Sequence, residues 1–344
     1  MTGGTRQGVG SRHKQASVSP GARCLRSLIK KYVNKRGTEM ELRAILSAFG
    51  SDKTKKIILD TDTFNEVDDQ FALAYAMLSP DKIRLLSVNA APFLNSRSLS
   101  AADGMEKSYR EIGNIMALTD PEMAKNIPAY RGSDRFLMSK TDTVLSDARD
   151  NIIRTVMENS DPDDPVWIVA IGAITNVASA INAEPEIARR AALIWLGGHA
   201  LDRPDTKEFN LKQDIFAAQA VFDSGIPMVQ IACDGVCSSF ITTVPELEYY
   251  LKGKNELCDY LCGITASFTK VPYAWSKVIW DVTAVGLFTV PAAYEIVQIP
   301  RPVVTSDCRY AFDAARPHYL YVRKIRRDKL YGDLFCKLSS KNNK

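Results

Sequence analysis

Four aspartates fall within ten positions at the end of an apolar run: Ile57-Ile58-Leu59-Asp60-Thr61-Asp62-Thr63-Phe64-Asn65-Glu66-Val67-Asp68-Asp69. Carboxylates this close repel one another, and one or more stays protonated unless a cation or hydrogen-bond donors hold them. A hard, oxygen-binding divalent ion, Ca²⁺ or Mg²⁺, is the economical explanation. The spacing does not suit an EF-hand loop, because Phe64 stands where a ligand is required.

The elements that must position these groups alternate along the chain. The run before Asp60 reads as a buried strand, and Phe71 to Leu78 as the helix that follows its loop. Strands are expected over 83–91, 166–172, 192–198 and 228–233, with a short piece at 127–132. Helices are expected near 69–79, 103–116, 147–159, 214–224, 245–251, 255–269 and 281–288, and short antiparallel strands over 293–323. Near-continuous apolar strands separated by helices predict the α/β class: a mostly parallel, Rossmann-like open sheet with helices on both faces and a small antiparallel addition near the C-terminus. Sites in such sheets lie at the carboxyl ends of the strands. Asp60 to Asp69, Asn95, Gly172 to Asn176 and Gly197 to Asn210 all fall at those ends.

The 344 residues, 46% hydrophobic and 24% charged, describe an ordinary globular chain, and no apolar run reaches the length of a membrane span. The first 38 residues hold nine Lys or Arg and no acid, so the formal charge of +4 leaves −5 on the remainder. Residues 1–50 therefore read as a basic, flexible extension, and 51–344 as one α/β domain. An Arg- and Ser-containing, acid-free leader is compatible with organellar targeting; a basic tail, or a start at Met40, are the alternatives, with the cytoplasm as the default setting. Nothing argues for a nucleic-acid partner. Cys233/Cys237 and Cys258/Cys262 are each four apart, which is compatible with zinc, but a strand-to-loop segment and an amphipathic helix explain them better.

Four segments, in order, resemble the inosine–uridine-preferring nucleoside hydrolases. These are Asp60-x-Asp62 with Asp68-Asp69; Ile171-Gly172-Ala173-Ile174-Thr175-Asn176; Gly197-Gly198 with Glu208-Phe209-Asn210 and Asp214; and Asp281 before Val282-Thr283-Ala284. The resemblance implies Ca²⁺-dependent hydrolysis of the N-glycosidic bond of ribonucleosides to ribose and base through metal-bound water. It implies Asp62, Asp69, Asp281 and the carbonyl of Ile171 as metal ligands, with Asp62 also the base that takes the proton of the water. Asp68, Asn95, Glu208 and Asn210 would hold the ribose, and Asp60 would support the loop. Homodimers or homotetramers are implied as well. The chemistry fits: cleavage builds positive charge on the ribose, which surrounding carboxylates stabilise.

Three departures stand out. The acidic loop is two residues longer than the pattern, around Phe64-Asn65-Glu66. Trp280 stands where the family resemblance implies a His, which in members that have it serves as a leaving-group acid for purines. The stretch before Glu208 is short, so a sugar-contacting Asn has no clear equivalent; Asp202 is the nearest substitute. His199, after Gly197-Gly198, is a candidate acid or base contact, or a histidine bonded to backbone. Trp280, Trp275 and Tyr273 suit stacking on a base, or plain packing. Asp161 to Asp164 reads as a solvated turn at the opposite end of the sheet. Two other functions compete. Asp60-Thr61-Asp62-Thr63 also resembles the Asp-x-Asp-x-Thr motif of haloacid-dehalogenase-type Mg²⁺ phosphatases, which leaves Asp68, Asp69, Asn210 and Asp281 unexplained. The Trp280 replacement would also suit a catalytically weak nucleoside- or sugar-binding homologue.

Overall fold

The computed structural model describes Met1 and residues 42–45, 47–49, 51–161 and 164–340. The basic extension expected over 1–50, with His13 and Cys24, lies almost wholly outside the described residues. Eight strands form the main sheet: β1 (Lys55–Thr61), β2 (Ile83–Ala90), β3 (Ala129–Tyr130), β4 (Val166–Ala170), β5 (Ala191–Leu196), β6 (Met228–Ile231), β7 (Tyr294–Pro300) and β8 (His318–Ile325). Their order is β3-β2-β1-β4-β5-β6-β8-β7. Every neighbouring pair is parallel except β8 with β7 at the edge. β4 and β5 are buried at each residue, so both faces are covered. Helices α1 (Asp68–Met77), α2 (Ala101–Thr119) and, far along the chain, α8 (Val282–Thr289) and α9 (Arg327–Ser339) pack into one group. The intervening α3 (Asp147–Asn159), α4 (Thr175–Ala183) and α6 (Ile215–Asp223) pack into another; between them in sequence lie the short α5 (Phe209–Gln213) and, later, α7 (Glu256–Ser267).

The antiparallel strands expected over 293–323 are resolved into two kinds. β7 and β8 join the main sheet, β8 pairing in parallel with β6 through Leu320 and Val229. Val303–Val304 and Tyr310–Ala311 form a separate ribbon. Helix α9 was not expected, although Leu330, Tyr331, Leu334, Phe335 and Leu338 bury one face at helical spacing. Of the Asp161–Asp164 turn, the two end residues bridge each other and Asp164 pairs with Lys56 at 2.9 Å.

Chain order reverses between β1 and β4, and the loops after these two strands therefore diverge and leave a crevice. Asn176, at the start of α4, ties that crevice together. Its amide donates to Asp60 Oδ2 at 2.9 Å and to the Ala90 carbonyl at 3.1 Å, and its Oδ1 accepts from the N–H and hydroxyl of Ser133 at 2.8 and 2.9 Å. The ends of β1, β2 and β4 and the loop after β3 are thus joined through one buried amide. Asn176→Ala leaves several of these groups buried without partners and should cost about 1–3 kcal/mol or more of unfolding free energy. Urea denaturation checks this; an unchanged midpoint would show that the loops hold without Asn176.

Candidate active site

A cavity of about 400 Å³ opens at the carboxyl ends of β1, β4 and β5. Asp62, Asp68, Asp69, Ile171, His199, Glu208, Asn210, Trp280 and Asp281 all line it. Asn95 does not, but its amide donates to Asn65 Oδ1 at 2.6 Å, and Asn65 is on the wall. Asp202 is exposed, lies 3.8 Å from Arg203 and takes no part in the lining. Tyr273 is 92% exposed, and Trp275 leans on Phe268 with ring centres 6.5 Å apart, so of the three candidate stacking residues Trp280 alone is on this wall.

The floor is acidic and buried. Asp62 leaves β1 where the strand ends, and Asp68 and Asp69 occupy the first turn of α1, where the helix dipole favours negative charge. Asp281 arrives from the turn before α8. Asp68, Asp69 and Asp281 each present an oxygen within 4.8 Å of the others. Burial, then the charges of Asp69 and Asp68, push the Asp62 carboxyl well above its usual range. Burial and Asp68 raise Asp69 to about 7, and burial followed by Asp68 and Asp69 raises Asp281. Thr61 Oγ1 donates to Asp69, a small offset. Asp62 Oδ2 is buried without a hydrogen-bond partner among the described residues. Buried carboxylates in mutual contact, one with an orphaned oxygen, suit a hard cation that takes oxygen ligands. Asp68, Asp69 and Asp281 could hold it with Asp62 beside them. Geometry thus adds Asp68, which the sequence motif assigns to ribose, to the candidate ligands. The Ile171 carbonyl accepts from Asn210 Nδ2 at 3.2 Å.

Asp60 sits behind this floor. Burial lifts its carboxyl to about 7 against the pull of its Asn176 hydrogen bond, and its Oδ1 has no partner. Gly172 faces the floor from the β4 loop: a Cβ there would stand 3.1 Å from Asp62 Cγ, closer than packed atoms tolerate without shifting.

The opposite wall is held by backbone bonds. Gly198, at φ +79°, turns the chain after β5, and a Cβ on it would meet Tyr310 Oη at 2.2 Å. Glu208 caps α5: its carboxylate accepts from the N–H groups of Asn210 at 2.8 Å, Leu211 at 3.0 Å and Gly198 at 2.9 Å. Asn210 spends both amide hydrogens on the Ile171 and Leu196 carbonyls, which leaves its Oδ1 for a ligand. His199 donates its backbone N–H to Thr206 at 2.9 Å, while its Nδ1 is buried and unpartnered. Asp214, at the end of the motif, caps α6 through Ala217 and accepts from Thr175 at 2.8 Å, a scaffold position.

The sequence matches the description "Inosine-uridine preferring nucleoside hydrolase" over residues 57–310. The chain belongs to this family. Pyrimidine-specific ribonucleoside hydrolase RihA of Citrobacter koseri is 27% identical over 181 residues, 45% of this chain and 56% of that protein. RihA of Escherichia coli is 26% identical over 205 residues, 52% of this chain and 60% of that protein. The chain thus spans little more than half the length of the curated relatives it matches. Among solved structures, the plant nucleoside hydrolase PpNRh1 superposes with a TM-score of 0.67 at 17% identity, covering 84% of this chain and all of that one. A purine-preferring ribonucleoside hydrolase from Gardnerella vaginalis gives 0.67 at 20% identity, covering 83% of this chain and 99% of that one. These likenesses establish the fold, and the family match does not favour the phosphatase alternative.

Within this nucleoside-hydrolase-family chain, the inserted loop carries what the motifs could not indicate. Glu66 forms an ion pair with Lys277, whose ammonium also lies 3.9 Å from Asp68. Burial alone would lower Lys277, but Asp68 and Glu66 outweigh it and raise it. The partners are 211 positions apart, and only the proximity of Lys277 to Trp280 and Asp281 in sequence hinted at it. Lys207, Lys212, Cys233 and Asp234 also line the cavity without having carried any motif. Cys233 and Cys237 stay free thiols, pushed up by burial.

Carboxyls raised from 3.8 to about 7 bind protons in the folded chain that the unfolded chain has already lost. Their contribution to stability is complete below the unfolded value and is lost as pH rises through about 7. Cation-free protein should therefore melt lower at about pH 8 than at about pH 5, and Ca²⁺ should raise Tm more at the higher pH. A Tm insensitive to Ca²⁺ at both would refute Ca²⁺ on this floor.

Proposed function

We propose that this protein hydrolyses the N-glycosidic bond of ribonucleosides to ribose and free base, with Ca²⁺ as its cofactor. The observation that carries the reading is the convergence of Asp62, Asp68, Asp69 and Asp281 on one buried floor, with Asp62 Oδ2 unpartnered, in a chain of the nucleoside hydrolase family. Asp62, Asp69, Asp281 and the Ile171 carbonyl are the proposed ligands, joined by Asp68 on the geometry. When bound, Ca²⁺ supplies positive charge that orders ribose hydroxyls and makes water more acidic.

The residues then divide the work. Asp62 takes the proton of the attacking water. Its orphaned oxygen supports this, since a base must have a free lone pair where the water stands. Asp68 accepts from the ribose hydroxyls. Asn210 Oδ1 and Asn95 complete the sugar contacts. Glu208, committed to three backbone N–H groups, acts on the sugar chiefly by fixing Asn210 and by its charge. As the bond to the base lengthens, the ring carbon becomes cationic, and the carboxylate floor stabilises it. His199 Nδ1 and the Trp280 ring are proposed to contact the base or its departing edge. RihA's pyrimidine preference supports nucleosides as the substrate class, and a place in base salvage follows. The free thiols Cys233, Cys237, Cys262, Cys308 and Cys336 support a reducing, cytoplasmic setting.

Ribose release from a panel of ribonucleosides, with and without chelator and beside a phosphatase substrate, tests the reading. Ribose should appear, chelator should suppress it and Ca²⁺ should restore it. Asp62→Ala should lower kcat by about 10²–10⁴-fold. Phosphate release without ribose, or nucleoside binding without turnover, would each overturn the proposal.

A further inference from the structure

One buried ammonium stands beside the acidic floor. Lys277 is 7% exposed, and its nitrogen lies 3.9 Å from Asp68 Oδ1. Among the described residues no other Lys or Arg pairs with Asp62, Asp68, Asp69 or Asp281. Its own ion-pair partner is Glu66 of the inserted loop, which lines both the catalytic cavity and a second cavity of about 440 Å³.

The ammonium is mounted firmly. Lys277 and Val278 pair antiparallel with Thr242 and Ile241, and the Ile279 N–H donates to the Phe240 carbonyl at 3.1 Å. Trp280 and Asp281 follow directly, so the ammonium and a floor carboxylate share one short stretch of paired backbone. Glu66 and Asp68 stand two residues apart at the entry to α1, and the Arg97 guanidinium holds the Glu66 carbonyl at 3.4 Å. The Phe268 ring has its centre 5.3 Å from the Lys277 nitrogen. A cation this buried is costly unless paired, and Glu66 supplies the pairing charge. Toward Asp68 the separation is too long for a hydrogen bond. Lys277 therefore acts on Asp68 through charge, without taking one of its acceptor positions.

We propose that Lys277, held by Glu66, is a positioning residue that biases the Asp68 carboxylate toward the ribose hydroxyls and away from the cation. The inference rests on the ribonucleoside hydrolase reading and adds a residue pair to its sugar subsite. Asp68 is claimed from two sides. With Asp69 and Asp281 it forms the oxygen cluster suited to a cation, and it is also the proposed acceptor for ribose. A divalent cation alone would draw this carboxylate into its coordination shell. A fixed ammonium near Oδ1 opposes that draw, because it attracts the carboxylate and repels the cation. Glu66 sets the strength of the effect by offsetting part of the ammonium's charge. The pair thus lowers cation affinity and strengthens the hold on ribose.

The test pairs a calorimetric Ca²⁺ titration with KM for the nucleoside cleaved fastest, measured at saturating Ca²⁺. Lys277→Met should tighten Ca²⁺ binding by about 10-fold, because a repelling charge is gone. The same variant should raise KM by about 10-fold, because Asp68 holds the ribose less well. Lys277→Arg keeps the charge and should keep both values near wild type. Glu66→Gln, at a partly exposed position, leaves the ammonium unbalanced and should weaken Ca²⁺ binding. A merely structural pair would instead weaken cation and ribose binding together. Weaker Ca²⁺ binding in Lys277→Met, or no change there in either quantity, would overturn the assignment and leave the hydrolase reading intact. Tighter or unchanged Ca²⁺ binding in Glu66→Gln would overturn it too, whether or not Lys277→Met folds. A wild-type protein that releases ribose from no nucleoside would overturn both readings.

Discussion

Buried like charge is the constraint on which this molecule depends. Asp62, Asp68, Asp69 and Asp281 are each at most 3% exposed, and Asp68, Asp69 and Asp281 stand within reach of one another. Burial disfavours every one of these charges; neighbouring carboxylates disfavour those of Asp62, Asp69 and Asp281 further, while Lys277 favours that of Asp68. The chain offers limited relief: the dipole of α1, the Thr61 hydroxyl, and the ammonium of Lys277 at the rim. An arrangement this costly to the fold persists where something in the crevice needs it.

The rest of the scaffold keeps that arrangement in place. Polar side chains with motif status prove to be mechanical at several points. Asn176 joins the ends of three strands, Asp214 caps α6, and Glu208 caps α5 with both its oxygens. Each spends hydrogen bonds on backbone groups that loops would otherwise bury unpaired. The apolar strands behind them supply rigidity; Trp167, Phe49 and Phe288 form a contiguous aromatic cluster with ring centres 5.1 to 5.7 Å apart. Carboxylates that repel can be held at close range only on elements that cannot yield.

The inserted loop gives this chain its individuality. Residues 64–66 of this loop lie between Asp62 and Asp68. They place Phe64 under Arg97, Asn65 against Asn95 and Glu66 against Lys277. The loop thereby separates two cavities and contributes to both. Trp280 lines the first of these, together with Lys207 and Lys212.

Period and composition were enough for the fold: β4 and β5 are uninterrupted apolar runs, and such runs must be covered on both faces. The candidate residues came from the segments that carry the family resemblance, and nine of the ten line one cavity, because residues just past parallel strands share one edge of the sheet. The helical spacing of Leu330, Tyr331, Leu334, Phe335 and Leu338 makes α9 legible too. Asp202 was placed by analogy of position, and its exposure removes it from the site. What no reading along the chain could reach were contacts whose partners are far apart in sequence and carry no pattern: Lys277 with Glu66, Glu111 with Tyr260, Asn95 with Asn65. The sequence by itself determined which residue types meet at the strand ends, since local propensity and hydrophobic period act over short stretches. The tertiary structure alone decided which oxygens stay free and which are spent on backbone, because hydrogen bonding is settled by distances of about 3 Å between segments that only packing brings together.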